Sequence, residues 1–192
     1  MADEDLRETV VSSKTLHRGR VGDFRIDTVR FNDGRQSIRE VLGHPGAVAI
    51  VATDPENRVL LVRQWRTAAG GILLEIPAGT LDIVDPVERT IEDPALAAPR
   101  ELEEETGYRA GSWHKLGSFW TAPGFATELM HLYWATDLRP AHEDRLGPDE
   151  DERLELVPMP FNDALAAIER HEICDAKSIV GLYWVARLRA AG

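Results

Sequence analysis

The stretch EDPALAAPRELEEETGY, residues 92–108, combines a helix start, a helix end and a cluster of carboxylates. Asp93 followed by Pro94 is typical of a helix start, because aspartate caps the first turn and proline fits the first helical position. Gly107 is the residue type that commonly follows the last helical turn. We therefore predict one helix from about Pro94 to Thr106.

The glutamates of this helix fall on two sides. At about 100° per residue, Glu105 lies about 40° from Glu101, Glu104 lies about 60° away in the other direction, and Glu103 lies about 200° away. Arg100 is next to Glu104 and is placed to hold its carboxylate. Three carboxylates on one side repel one another, and Mg²⁺ or Mn²⁺ would relieve the repulsion. A glutamate-rich helix face can equally be a solvated surface, so the wider pattern has to decide.

The segments around the helix alternate between apolar runs and turns. Strands are predicted within residues 15–32, 39–42, 46–53, 59–64, 73–76, 116–121, 129–135 and 154–159, and helices over 162–171 and 178–190. Residues 80–92 are predicted to be a loop, and residues 1–14 to be partly disordered. This order favours an α/β fold, a mixed sheet with helices on its faces. We place an N-terminal β extension at 1–45 and the main domain at 46–192.

Composition excludes several classes of protein. The 192 residues carry a net charge of −11, from 22 basic and 33 acidic side chains. Non-specific nucleic-acid binding needs a basic face, so nucleic acid is not an expected partner. Cys174 is the single cysteine, which leaves no internal disulfide. Neither a signal peptide nor an apolar run of about 18 residues is present, so we expect a cytoplasmic protein without a membrane partner.

The helix and its flanks resemble the signature of the Nudix hydrolases. Glu92, seven further residues and then RELEEETGY, residues 100–108, match that signature position by position. The resemblance implies an α/β/α sandwich and hydrolysis of a nucleoside diphosphate linked to another group. It implies metal ligation by Glu101, Glu104, Glu105 and the backbone carbonyl of Ala78. By the same resemblance, Gly79 is the loop glycine, and Arg100 and Glu92 are supporting residues.

Two features depart from that signature. Twelve residues separate Gly79 from Glu92 where the family usually has five, so an insertion lies within residues 82–91. Pro99 stands inside the predicted helix, where proline removes a backbone hydrogen bond and costs about 3 kcal/mol. Either the helix kinks, or its regular part starts nearer Pro99.

Other segments resemble the ADP-ribose pyrophosphatase branch of the family. The strand VRQWR, residues 62–66, ends in Arg66, which the resemblance assigns to a substrate phosphate. The loop TAPGF, residues 121–125, together with Glu128, is similar to a substrate loop of the branch, which assigns Gly124 and Glu128 to substrate binding. Ala122 stands where the branch usually has serine. Arg66 could equally form a surface ion pair.

The acidic loop PDEDE, residues 148–152, also resembles that branch. There a glutamate is proposed to activate the attacking water, so Glu150 and then Glu152 are the candidate general bases, with Glu105 as a further catalytic carboxylate. A general base has to reach a water whose pKa a metal lowers. A solvated acidic loop is the alternative interpretation.

The N-terminal extension resembles one that exchanges strands between two subunits of the branch. This implies a homodimer in which Val21, Arg39 and Glu40, and also Phe24, are candidates for binding adenosine. Ordinary core or dimer packing is at least as good an account of Val21 and Phe24, and Arg39 could form a surface ion pair.

The expected activity is Mg²⁺- or Mn²⁺-dependent hydrolysis of ADP-ribose to AMP and ribose 5-phosphate. Another nucleoside diphosphate sugar, such as GDP-mannose, is the nearest alternative substrate. A non-catalytic ADP-ribose sensor is disfavoured because it would not need the three carboxylates. An isomerase on this scaffold would need a cysteine in the pocket, and Cys174 lies far along the chain from the acidic helix.

Overall fold

A computed structural model describes residues 6–85, 88, 90–141, 147 and 153–191. The chain forms two compact units: Met1–Gly46 with Trp120–Leu129, and Ala47–Phe119 with Met130–Gly192. The loop predicted to contact substrate, residues 121–125, thus belongs to the same unit as the N-terminal strands. The domain boundary between residues 45 and 46 stays a prediction.

The described residues form twelve strands and three helices. The strands are β1 Thr9–Arg18, β2 Asp23–Arg30, β3 Gln36–Gly43, β4 Ala47–Thr53, β5 Arg58–Arg66, β6 Gly71–Glu75, β7 Ala78–Thr80, β8 Ile83–Asp85, β9 Thr90–Ile91, β10 Tyr108–Trp120, β11 Leu129–Pro140 and β12 Glu155–Pro160. The helices are α1 Pro94–Thr106, α2 Phe161–Glu169 and α3 Ala176–Ala191.

The larger sheet is mixed. Its strands run in the order β10, β11, β4, β5, β12, with β6 paired to β5 and β7 paired to β4. Strand β11 is parallel to β4, whereas β5 is antiparallel to β4, β6 and β12. Strand β7 follows β6 closely in the chain. Its residues Ala78 and Gly79 are held at the sheet because they pair with Ala49 and Val48 of β4.

Strand β4 shows why helices cover both faces of this sheet. Successive side chains of a strand point to opposite faces, and all seven residues of β4 are buried. Three of them, Val48, Ile50 and Ala52, share a core with Ala97, Ala98 and Leu102 of α1. The alternate residues, Ala47, Ala49 and Val51, share the other core with Ala164 and Ala167 of α2 and Leu182 and Val185 of α3. The predicted α/β/α sandwich is therefore confirmed.

Helix α1 has the predicted ends. The Asp93 side chain accepts a hydrogen bond from the Ala95 N–H at 2.9 Å, and Gly107 ends the helix in the left-handed region at φ 72°. The alternative that the regular helix starts nearer Pro99 is wrong, because the helix begins at Pro94. Proline deprives the Ala95 carbonyl of its usual donor, but Ala95 and Pro99 are both exposed, so water can replace that donor.

Two other expectations from the sequence are wrong in part. The insertion before α1 contains the short antiparallel pair of β8 and β9 instead of an irregular loop. The N-terminal stretch expected to be partly disordered contains the start of β1, which pairs with β2 from Thr9 to Arg18. Strands β1, β2 and β3 form a separate three-stranded sheet in that order. Among the described residues, no helix is long and apolar enough to cross a membrane.

Candidate metal and substrate site

Strand β7 brings the backbone of Ala78 and Gly79 against two glutamates of helix α1. A methyl group built on Gly79 would lie 1.9 Å from the carboxyl carbon of Glu101 and 2.1 Å from each of its oxygens. The N–H of Ala78 donates to Oε2 of Glu105 at 3.1 Å. Only glycine allows the first approach, so the sequence Ala78-Gly79 holds the Glu101 and Glu105 carboxylates beside one short stretch of backbone.

Arg100 is the centre of the charges on this side of α1. Its Nη1 lies 2.8 Å from Oε1 of Glu101 and 2.8 Å from Oε2 of Glu104. Its Nη2 and Nε donate to the two oxygens of Glu92, at 2.8 and 3.2 Å. Asp82 adds a more distant carboxylate, 3.7 Å from Nη2. One guanidinium is therefore shared among several carboxylates.

These contacts shift the pKa values of the pair at the centre. The hydrogen bond from Arg100 lowers the pKa of Glu92, although burial opposes the shift. The same bond raises the pKa of Arg100, and the charges of Glu101 and Glu104 add to the effect. Both groups are consequently held in their charged forms.

Glu103 lies apart from this group, as the helical projection predicts. Its two oxygens accept from Nε and Nη2 of Arg109, each at 2.7 Å. The Glu103 side chain is 9% exposed and that of Arg109 is 45% exposed. This carboxylate therefore has a bidentate partner of its own.

The donor chemistry of the other side suits a hard divalent cation. Carboxylate oxygens are what Mg²⁺ and Mn²⁺ prefer. Glu101 and Glu105 lie against the Ala78-Gly79 backbone, and Glu104 shares Arg100 with Glu101. Within the part of the chain that the structure describes, no three His, Cys, Asp or Glu side chains are already arranged as a metal cluster. The contacts explain this, because Arg100 engages Glu101 and Glu104, while the Ala78 N–H engages Glu105.

Arg66 is held by a buried carboxylate that the sequence did not reveal. Its Nε donates to Oε2 of Glu75 at 2.7 Å, and the side chains are 39% and 4% exposed. Lys177 of α3 contacts the other Glu75 oxygen at 2.6 Å. Glu75 lies in the apolar run of β6, and Lys177 is 102 residues away in sequence. No local pattern could have joined them.

The remaining substrate candidates belong to the N-terminal unit. Arg39 forms an ion pair with Glu8, which agrees with the alternative considered for it. Glu40 pairs across the sheet with Ile26. Val21 is 62% exposed, which does not favour core packing. Gly124 has open space where a Cβ would be.

Glu128 has polar partners inside the same unit. It accepts from Oγ1 of Thr121 at 2.5 Å and lies 3.7 Å from Nε2 of His44. His44, which the sequence analysis missed, has a side chain that is 6% exposed, and burial lowers its pKa although Glu128 opposes the shift. The sequence His44-Pro45-Gly46 directly before a buried strand is the pattern that could have indicated this histidine. The candidate bases Glu150 and Glu152 lie outside the described residues.

Three curated relatives match between 74% and 95% of the chain. The methanol dehydrogenase activator of Bacillus methanolicus is 38% identical over 178 residues, 93% of this chain and 92% of that protein. The ADP-ribose pyrophosphatase of Bacillus subtilis is 36% identical over 182 residues, 95% of this chain and 94% of that protein. The GDP-mannose pyrophosphatase of Cronobacter sakazakii is 34% identical over 149 residues, 74% of each chain.

The fold and the family are consistent with each other. A solved structure of an ADP compounds hydrolase matches with a TM-score of 0.79 at 25% identity, covering 97% of this chain and 96% of that chain. The family model for the NUDIX domain matches residues 43–179, which include the β6–β7 loop, the insertion and the acidic helix. The chain therefore belongs to the NUDIX domain family.

Proposed function

We propose that this protein hydrolyses the pyrophosphate bond of ADP-ribose, giving AMP and ribose 5-phosphate, with a divalent cation. The observation that carries the proposal is that Glu101 and Glu105 lie against the Ala78-Gly79 backbone, while Glu104 shares Arg100 with Glu101. The Bacillus subtilis ADP-ribose pyrophosphatase, similar over almost the whole of both chains, supports the choice of substrate.

Glu101, Glu104, Glu105 and the Ala78 carbonyl are assigned to hold Mg²⁺ or Mn²⁺. When bound, such a cation neutralises pyrophosphate charge and polarises water. Arg100 contacts and orients Glu101 and Glu104, and Glu92 fixes Arg100 through two hydrogen bonds. Gly79 leaves the space in which the Glu101 carboxylate lies.

The proton of the attacking water is assigned to Glu150, with Glu152 as the second choice. As that water adds to one phosphorus, the bond from this phosphorus to the bridging oxygen breaks, and the other phosphate leaves. Full activity in a Glu150→Gln/Glu152→Gln double variant would remove the acidic loop from the mechanism.

Arg66 is assigned to a substrate phosphate. Its partly exposed guanidinium is fixed at Nε by Glu75, which leaves the Nη groups available for a phosphate in the fork geometry that arginine favours. The assignments of Val21, Arg39, Glu40, Gly124 and Glu128 to substrate binding remain predictions by resemblance.

The homodimer with exchanged N-terminal strands is part of the proposal. All ten residues of β1 are exposed in the single chain, and β1 is an edge strand of its sheet. Val10, Val11 and Leu16 are among the exposed apolar residues. Long exposed edge strands are usually covered, and a second copy of the chain would cover this one. A monomer by analytical ultracentrifugation would contradict it.

GDP-mannose is the second candidate substrate, because the Cronobacter sakazakii enzyme named for it matches 74% of the chain. A panel of ADP-ribose, GDP-mannose, diadenosine polyphosphates and NADH, each assayed with Mg²⁺, Mn²⁺ and EDTA, discriminates between the two. We expect the highest kcat/KM for ADP-ribose and no turnover in EDTA. A preference for GDP-mannose would replace the proposed substrate, and hydrolysis of none would favour a binding module.

A further inference from the structure

Glu75 is a buried carboxylate that contacts two cations. It is 3% exposed, Arg66 donates to its Oε2 at 2.7 Å and Lys177 donates to its Oε1 at 2.6 Å. A buried carboxylate requires such compensation. Arg66 and Lys177 therefore share this one buried carboxylate.

The strand register directs Arg66 toward the loop before α1. Arg66 pairs with Gly71 at one end of the β5–β6 ladder, and Glu75 pairs with Val62 at the other end. To reach Glu75, the Arg66 side chain must extend back along β5, in the direction in which β6 runs toward Ala78. The contact with Glu75 therefore brings the guanidinium to the end of β6 that continues into the Ala78-Gly79 backbone.

The first turn of α3 fixes this carboxylate from the other side. Lys177 also donates to Oδ1 of Asp175 at 3.0 Å, and the same oxygen accepts from the Ser178 N–H at 3.1 Å. Oγ of Ser178 accepts from the Ile76 N–H at 2.9 Å in a buried bond. Helix α3 thus holds both Glu75 and the next residue of the chain.

Only one edge of the Arg66 guanidinium is used by these contacts. Within the described part of the chain, the Arg66 guanidinium donates to Glu75, and it does so through Nε. Lys177 also contacts Asp175, so the two cations of this cluster face two carboxylates, and Arg66 takes part in it through Nε alone. The remaining N–H groups suit a bidentate contact with phosphate oxygens.

We propose that Glu75 and Lys177 are positioning residues, which hold Arg66 extended through its Nε so that its Nη groups bind a phosphate of the substrate. This rests on the proposed function, in which Arg66 contacts the diphosphate. If the cluster were purely structural, it would stabilise the fold without changing the affinity for the substrate. The cluster consists of Arg66, Glu75, Asp175 and Lys177.

A double-mutant cycle tests the proposal. The wild type, Arg66→Ala, Glu75→Gln and the double variant are compared by calorimetric binding of ADP-ribose in EDTA, by KM and kcat with Mg²⁺, and by Tm. We expect Glu75→Gln to weaken binding about 10-fold when Arg66 is present and less than about 2-fold when it is absent. KM should rise more than kcat falls, because the contact already exists in the ground state.

Two further variants keep the result interpretable. Lys177→Met removes one of the two side-chain contacts that fix the Glu75 carboxylate, so Arg66 should be held less firmly and binding should weaken about 3-fold. It provides the test if Glu75→Gln does not fold. Glu155→Gln is the matched control, since it breaks an exposed 2.7 Å ion pair with Arg63, which lies on β5 as Arg66 does. This variant should leave binding unchanged.

The outcomes distinguish an error in the proposed substrate from an error in the role assigned to Glu75 and Lys177. If the wild type neither binds nor hydrolyses ADP-ribose, the proposed substrate is overturned and this inference with it. If Arg66→Ala weakens binding but Glu75→Gln and Lys177→Met do not, only the inference is overturned. Equal effects of Glu75→Gln in both backgrounds would also overturn it, because they would indicate a role independent of Arg66.

Discussion

The two sides of helix α1 carry the same residue type in different electrostatic settings. On one side, Glu103 has Arg109 as a bidentate partner, with two 2.7 Å bonds. On the other side, Arg100 is shared among Glu92, Glu101 and Glu104, and Glu105 lies against the Ala78 N–H. One side is a closed pair, whereas on the other side one guanidinium is shared among several carboxylates.

The comparison shows that the partner, rather than the glutamate, determines the role. A matched arginine makes a carboxylate part of the scaffold, because both charges are satisfied within the fold. Where several carboxylates share one guanidinium, a divalent cation can supply further positive charge. The two sides are therefore expected to respond differently to the same substitution.

The largest expected effect comes from replacing glutamate by glutamine on the shared side. Glu101→Gln and Glu105→Gln should each lower kcat/KM for ADP-ribose by about 100-fold or more, since losing a metal ligand removes several kcal/mol of transition-state stabilisation. Steady-state kinetics with Mg²⁺ measures this. Near-normal turnover in both variants would refute the metal assignment.

A second test adds a methyl group without changing charge. In Gly79→Ala the new Cβ would meet the Glu101 carboxylate at about 2 Å, so this flexible side chain should move while the fold persists. We expect kcat/KM to fall about 10- to 100-fold, as for residues that orient metal ligands, with little change in Tm. Gly71→Ala is the control, because open space surrounds that Cβ. A Gly79→Ala variant as active as the control would contradict the close approach.

The closed pair should affect stability rather than activity. Glu103→Gln weakens the pair with Arg109, which is half exposed, and we expect a loss of about 1–2 kcal/mol. For a chain of this size, that lowers Tm by about 2–8 °C. Activity should stay within about 2-fold of the wild type, because Glu103 pairs with Arg109 and not with the residues around Arg100. A 100-fold loss of activity would place Glu103 among the functional carboxylates.

The smallest expected effect is a pH dependence of stability on the shared side. The pKa of Glu92 is lowered in the folded protein by its bond from Arg100, so the unfolded state binds more protons between the two pKa values. The stabilisation is complete above the unfolded pKa of about 4.5 and is lost as the pH falls through the folded pKa.

Thermal unfolding in EDTA as a function of pH measures that contribution. Wild type and Glu92→Gln should differ most near neutral pH and converge below pH 4.5. Two curves that stay parallel down to pH 3 would show that the Glu92 and Arg100 pair contributes nothing to the acid sensitivity of the fold.

Short-range signals in the sequence predicted much of this architecture. Asp93 and Gly107 marked the ends of α1 because capping depends on residues within one turn, and the helical period separated Glu103 from the other glutamates. Pro99 was misleading, since its cost depends on whether the freed Ala95 carbonyl can reach water. That is a property of the folded surface rather than of the sequence pattern.

Long-range contacts account for what the sequence could not predict. Glu75 sits in an apolar run and has the appearance of a β6 core position until Arg66 and Lys177 are brought to it. His44 acquires its environment from Glu128 and Thr127, more than 80 residues later. The pairing of β1 with β2 from Thr9 was hidden by the polar composition of the N-terminus.

The bond between Ile76 and Ser178 has a consequence for synthesis on the ribosome. The strands and the acidic helix emerge long before α3, yet the bonds that hold Ile76 and Glu75 span 102 residues. A nascent chain that ends before residue 175 therefore contains Arg66, the loop glycine and every glutamate of α1, but lacks the brace on β6. The brace on β6 can form only after the first turn of α3 has been synthesised.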